Sequence, residues 1–230
     1  REASSMKDFT LVNLDTDSIT VSKKDGSPFS ELEEKNLLDE LNSIYPENIK
    51  WEPDGYFPVV IVLRAKNYIL YDGKKKKIKG SSMRDPKREK ALRELINRFI
   101  DSLIEERSDL VEIYKEYAKE IYAIKDINRW SIRKTLSEKV YSSERSNETK
   151  VVDAIHDTEY VEGDRVYMYY KPDDTLCLVE RFDGEYNKER LYEKLYKTVR
   201  IFETILPVKE MFINYSLKRS QKLLEVLIQS

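Results

Sequence analysis

The chain has 230 residues, with 41 basic and 43 acidic side chains and a formal net charge of −2; at 40% apolar and 37% charged, with six glycines and seven prolines, it has the composition of a helix-rich folded protein large enough for two modest domains, which excludes a disordered chain. A net charge this small neither requires nor excludes a nucleic-acid partner, because such surfaces depend on where Lys and Arg cluster. One cysteine, Cys177, excludes an internal disulfide and favours a reducing compartment, and apolar runs such as Val59 to Leu63 are far too short to cross a bilayer. The polar start, Arg1 to Phe9, lacks the apolar region of a signal peptide, so a soluble intracellular protein is expected. Because a strand begins almost at once after Arg1, the chain reads as a piece of a longer polypeptide.

Two short β-prone runs, Thr10 to Leu14 and Ile19 to Ser22, bracket Asp15-Thr16-Asp17-Ser18 and predict a tight antiparallel hairpin with an acidic apex. If the apex is extended, Asp15 and Asp17 point to one side, where two like charges repel unless a cation such as Mg²⁺ neutralises them. The plainer reading is a solvated turn, since Asp, Thr and Ser are ordinary turn residues. Ser30 then stands at capping-box spacing from Glu33, ahead of a helix whose stripe is Leu32, Leu37, Leu38, Leu41 and Ile44 and which stops at Pro46. The segment from Ile49 to Leu70 is β-rich, with a buried strand Val59 to Leu63 and a second, Asn67 to Tyr71. Asp72-Gly73 before four lysines predicts a hairpin turn.

Asp85-Pro86 predicts the start of a long helix, Asp as the cap and Pro in the first turn, with a stripe from Ala91 to Ile104. A second helix is expected over Leu110 to Ile124, and helical pieces over Ile127 to Ala154 with a polar loop from Ser142 to Glu148. Strands are expected at Arg165 to Tyr170 and Leu176 to Glu180, with Cys177 in the core. A periodic helix over Asn187 to Leu206 stops at Pro207, and a last helix runs from Ser216 to about Ile228. The shift from β-rich to helix-rich places a domain boundary near Asp85. The fold class is therefore α+β.

The ordered set Asp15-Thr16-Asp17-Ser18-Ile19, a helix, a strand running into Lys66-Asn67-Tyr68, then Lys79-Gly80 and Arg84-Asp85 resembles family B DNA polymerases. Trp130-Ser131-Ile132-Arg133-Lys134 and Glu162-Gly163-Asp164-Arg165-Val166 resemble the thumb of that family, in its phage and archaeal form. The resemblance implies a partial palm over residues 1–84, with the hairpin, strands and a helix, and a mainly helical thumb with a small β element over residues 85–230. It implies two-metal nucleotidyl transfer with Mg²⁺, two ions in the complete site, Asp17 as shared metal ligand and Asp15 as a secondary or outer-sphere carboxylate. Thr16 and Ser18 would support the turn by local hydrogen bonds.

The same resemblance implies primer–template DNA as partner, dNTP in the complete enzyme, and the remaining exonuclease, fingers and palm segments as the rest of the polymerase. The cytoplasm of a bacterial, archaeal or virus-infected cell would be its place. Lys66 is expected at a base edge, Tyr68 on a primer phosphate, Arg84 on backbone at the junction of palm and thumb, Lys79 among the DNA-binding residues, and Arg133 and Lys134 on phosphates. From Lys74 to Arg98 there are eleven basic residues against three acids, a local excess that is either this footprint or a solvated face. The sequence departs from the family at Asn13-Leu14, where Tyr-Gly is common, and at Ala65, the first position of a Lys-Lys-Arg-Tyr element. Nothing in it matches the palm motif with the other essential aspartate or the nucleotide-binding helix. A non-catalytic DNA-binding or assembly module, or the small subunit of a split polymerase, is the alternative reading.

Overall fold

The computed structural model describes residues 9–142, 146–217 and 220–229, and it divides into two compact units, Arg1–Ser82 and Met83–Ser230. Of the polar start only Phe9 lies within the described residues. The architecture is α+β.

The first unit opens with the antiparallel pair β1 (Phe9–Leu14) and β2 (Ile19–Lys23), which runs from Phe9↔Lys23 to Leu14↔Ile19 with a bulge between Leu11 and Asn13. Helix α1 (Glu31–Ile44) starts on a complete capping box: Ser30 Oγ accepts from the Glu33 amide, and the Glu33 carboxylate accepts from the Ser30 amide at 2.8 Å. Glu33 also receives Lys23 Nζ at 2.8 Å, and Phe29 stacks on Phe9 with ring centroids 5.2 Å apart, which ties the helix start to the hairpin. Of the expected apolar stripe only Leu41 is buried; Leu32 and Ile44 stay exposed.

A second sheet joins β3 (Val59–Arg64), β4 (Asn67–Tyr71) and β5 (Lys76–Lys79), antiparallel and in that spatial order. The turn after β4 forms as expected: Asp72 Oδ1 accepts from the Lys74 and Lys75 amides, both at 2.7 Å, and Gly73 takes φ +92. Two of the four lysines, Lys76 and Lys77, lie on β5 rather than in the turn, because Tyr68 to Tyr71 offers them a strand edge. The expected buried strand Val59 to Leu63 is only half-buried, with Leu63 alone in the core, since one strand neighbours it.

In the second unit, α2 (Ser81–Arg84) reaches across the division and α3 (Lys90–Ile104) begins later than Asp85-Pro86 predicts. Asp85 instead closes a turn by accepting from the Lys87 amide at 2.9 Å, and Glu89, 3% exposed, meets Lys194 Nζ where the helix starts. Helices α3, α4 (Leu110–Tyr122) and α7 (Lys188–Val199) contribute Phe99, Tyr114 and Leu195 to one core, joined by Phe202, Phe212 and Tyr215. Tyrosine hydroxyls stitch this core to backbone: Tyr114 donates to the Ile213 carbonyl at 2.6 Å and Tyr186 to that of Ile121 at 2.8 Å, which satisfies polar tips that burial would otherwise penalise. The expected single helix Asn187 to Leu206 ends at Val199 and tightens into a 3₁₀ turn, Arg200–Phe202. A short α8 (Val208–Met211) follows Pro207. The last helix, α9, spans Gln221–Gln229; Ser216 and Leu217 form a turn, and residues 218–219 lie outside the described residues.

A second core lies under the antiparallel sheet of β6 (Ile132–Thr135), β7 (Arg165–Tyr170) and β8 (Leu176–Leu178). The segment from Ile127 is thus not wholly helical: after a 3₁₀ turn at Ile127–Trp130 it forms β6, because Ile132 and Lys134 find partners in Met168 and Val166. Helices α5 (Glu138–Ser142) and α6 (Ser146–Ile155) cover the sheet's inner face, where Val140, Val151 and Ile155 meet Val166, Met168, Leu176 and Leu178. Of the expected polar loop, Ser142 ends α5, Ser146 opens α6 and residues 143–145 lie outside the described residues. The strand expected to reach Glu180 ends at Leu178 and becomes a 3₁₀ turn, Val179–Arg181. Cys177 is half-buried rather than in the core, because strand alternation sends it to the face opposite Leu176 and Leu178. Burial still pushes its thiol pKa up.

Candidate functional site

The acidic apex is a four-residue loop rather than an extended strand. Leu14 pairs with Ile19 and the Asp15 amide donates to the Ser18 carbonyl at 2.9 Å, so the alternation that would align Asp15 with Asp17 ends before them. Thr16 and Ser18 support the turn through backbone groups: the Thr16 amide donates to Asp15 Oδ1 at 2.9 Å, and Ser18 supplies the carbonyl just described. The two carboxylates differ in setting. Asp15 is half-buried, whereas Asp17 is exposed.

The other oxygen of Asp15 is held from the second sheet. Tyr68 Oη donates to Asp15 Oδ2 at 2.9 Å, across 53 residues of sequence. The Tyr68 side chain, 5% exposed, is fixed in β4, and its cross-strand partner Lys79 stands on the same face. The Thr16 amide and the Tyr68 hydroxyl hold the Asp15 carboxyl below its ordinary range, with the charges of Lys66 and Lys79 adding to the effect. Burial first, then the bond to Asp15 and the charges of Asp15 and Asp17, push the Tyr68 phenol up. In this structure the one proton of the Tyr68 hydroxyl is directed at Asp15.

Lys66 is exposed in the β3–β4 turn with φ 60, a left-handed conformation uncommon for a residue with a side chain. The turn is locked from two sides. Asn67 Nδ2 donates to the Ala65 carbonyl at 3.1 Å, and Asn67 Oδ1 accepts from the Ser82 hydroxyl. Gly80, at φ +111, packs so closely that an added Cβ would lie 2.3 Å from Asn67 Oδ1 and 2.8 Å from the Lys66 carbonyl. Asn67, Ser82 and Gly80 did not stand out in the sequence as site residues; a Gly directly after a strand-borne lysine was the available signal.

The remaining candidates lie in the second unit. Arg84 is exposed on α2 in the second unit. Arg133 and Lys134 are consecutive on β6, so they point to opposite faces of the sheet: Arg133 opposes Tyr167 on the outer face, and Lys134 opposes buried Val166 on the inner one. Within the basic run, Lys77 pairs with Asp54 at 3.1 Å and Arg98 with Glu116 at 2.6 Å, which commits those two cations to intramolecular partners.

Among the described residues no group of three or more His, Cys, Asp or Glu side chains converges to hold a metal, so the hairpin offers two carboxylates only. That donor set suits Mg²⁺, which takes one or two carboxylates and completes its octahedron with water and substrate phosphates. No helix among the described residues is long and apolar enough to cross a membrane.

No protein-family model and no curated protein matches the sequence. Among solved structures, the family B DNA polymerase from the hyperthermophilic archaeon Pyrobaculum calidifontis superposes with a TM-score of 0.65 over 89% of this chain, at 16% sequence identity. The chain spans 28% of the length of that polymerase. At this identity the likeness is one of fold: the chain has the fold of part of a family B DNA polymerase.

Proposed function

We propose that this chain is the carboxylate-hairpin and duplex-gripping portion of a template-directed DNA polymerase. Asp17 would hold catalytic Mg²⁺, Asp15 stands behind it as an outer-sphere carboxylate, Lys66 reaches a base edge, and Lys79 and Arg84 hold the DNA backbone. The observation that carries this reading is the Tyr68–Asp15 hydrogen bond, which anchors the hairpin to the sheet bearing Lys66 and Lys79. Both Asp15 oxygens are engaged by protein donors, whereas no hydrogen bond among the described residues engages the Asp17 carboxylate. A metal ligand needs that freedom.

Bound there, Mg²⁺ would activate the primer 3′-hydroxyl and neutralise charge on the leaving phosphates. The chain's own residues then orient and hold: Tyr68 keeps Asp15 in place, Asp15 adds negative potential at the apex, and Lys66 stands exposed in the β3–β4 turn. The second bridging carboxylate and the nucleotide-binding helix belong, on this reading, to polymerase segments other than this chain.

The isolated chain should therefore bind primer–template but not extend it. Fluorescence anisotropy of a labelled primer–template across a salt series measures the grip. With four to six phosphates engaged, the slope of log K against log salt should lie between about −3.5 and −5.5. A flat salt response, or template-dependent extension by the isolated chain with Mg²⁺ and dNTPs, would overturn the proposal.

A further inference from the structure

Sheet β6–β7–β8 is covered on its inner face by α5 and α6; among the described residues its outer face is covered at the Tyr169 end. There Tyr169, 3% exposed, lies under Phe182 in an edge-to-face contact, ring centroids 5.2 Å apart. Toward the start of β7 the face is open. Tyr167 is 45% exposed with Arg133 directly opposite on β6, and Arg165, two residues along β7 on the same face, opposes Thr135. Such cross-strand and same-face neighbours place their Cβ atoms within about 5 to 8 Å of one another. Among the described residues, no hydrogen bond or ion pair engages the side chains of Arg133, Arg165 or Tyr167. The adjacent acid, Asp164, is turned to its own loop, accepting from the Val161 amide at 2.9 Å.

We infer that the open end of this face is a stacking platform for single-stranded nucleic acid, with Tyr167 beneath an unpaired base and Arg133 and Arg165 on the flanking phosphates. An exposed ring between two unpaired cations matches the chemistry of a polyanion that presents flat aromatic faces. A duplex fits the ring poorly, because its bases stack on one another and offer no free face at the backbone. An acidic protein segment would satisfy the arginines but leave the ring without a specific role. The site lies wholly in the second unit and does not depend on the carboxylate hairpin.

The test is fluorescence anisotropy of the full chain with labelled oligothymidylate and, in parallel, with a blunt hairpin duplex. Tyr167→Ala should weaken oligothymidylate binding by about 5- to 150-fold, the range for losing one base stack, while duplex affinity changes less than twofold. Tyr167→Phe should retain binding within about twofold, since the face of the ring and not its hydroxyl is used. Arg165→Gln should reduce the magnitude of the single-strand salt slope by about 0.7, and it reports on the platform even if Tyr167→Ala disturbs the fold. No oligothymidylate binding at low salt, or equal losses on both probes with Tyr167→Ala, would overturn the assignment. Failure of duplex binding alone would count against the proposed polymerase role and leave this one standing.

Discussion

Tyr68 Oη donates to Asp15 Oδ2 at 2.9 Å and thereby joins the acidic hairpin to the lysine-bearing sheet. Replacing Tyr68 by Phe keeps the buried ring and removes only this bond. The Asp15 carboxyl should then titrate closer to its ordinary value of 3.8, as read by ¹³C NMR of the side-chain carboxyl. The sign follows from the direction of the shift: a carboxyl lowered on folding contributes stability that is complete above its unfolded value and is lost as pH falls through the lowered folded value. In Tyr68→Phe that acid window should narrow. In a complete polymerase carrying this hairpin, single-turnover synthesis should fall by about 10- to 150-fold, the range for losing one hydrogen bond to a charged group.

On the proposed reading, Asp17→Asn in the complete polymerase should abolish synthesis and leave DNA affinity largely intact, because it would remove a metal ligand and no phosphate contact. Asp15→Asn should be milder, since Asp15 already spends both oxygens on Thr16 and Tyr68. Single-turnover rates of the two variants decide the matter. Equal losses would overturn the division of roles.

Gly80→Ala should distort the Lys66 turn. The added methyl would meet Asn67 Oδ1 at 2.3 Å, and φ +111 is itself costly for any residue with a side chain. Urea denaturation should show a loss of about 1 to 3 kcal/mol. Gly73→Ala is the control: its φ is also positive, but its Cβ would meet nothing within 4 Å, so only the backbone cost applies.

Glu33 supplies a pH signature distinct from that of Asp15. Its bond to Lys23, then those from the Ser30 amide and hydroxyl, lower its carboxyl to about 2. The contribution is complete above the ordinary value of 4.5 and is lost as pH falls toward about 2. Glu33→Gln should flatten the acid limb of a melting-temperature profile over that window.

Glu89 sits at the start of α3, 4% exposed in its side chain, with Lys194 of α7 as its ionic partner. Lys194→Met leaves a buried carboxylate uncompensated and should cost roughly 3 kcal/mol in urea denaturation. Glu89→Gln together with Lys194→Met should recover part of that loss, because the cost lies in the unpaired charge and not in the missing pair.

What the sequence determined by itself was local. The hairpin around Asp15 to Ser18, the capping box of Ser30 and Glu33, the Asp72-Gly73 turn and the strand from Arg165 to Tyr170 all follow from patterns a few residues long, because turn chemistry, caps and strand alternation act between near neighbours. The α+β class and the ordered motifs of a polymerase-like fold were legible for the same reason. Tertiary structure decided the rest. It made a strand of Ile132 to Thr135 by giving Ile132 and Lys134 partners on β7, and so separated Arg133 from Lys134. It moved the start of α3 from Asp85 to Lys90 and turned Cys177 away from the inner face of its sheet. Above all, it set the Tyr68 hydroxyl on Asp15. That bond spans 53 residues, and no local propensity encodes it: two elements must be packed together before burial of the ring and the demand of a half-buried carboxylate for a donor can select one another.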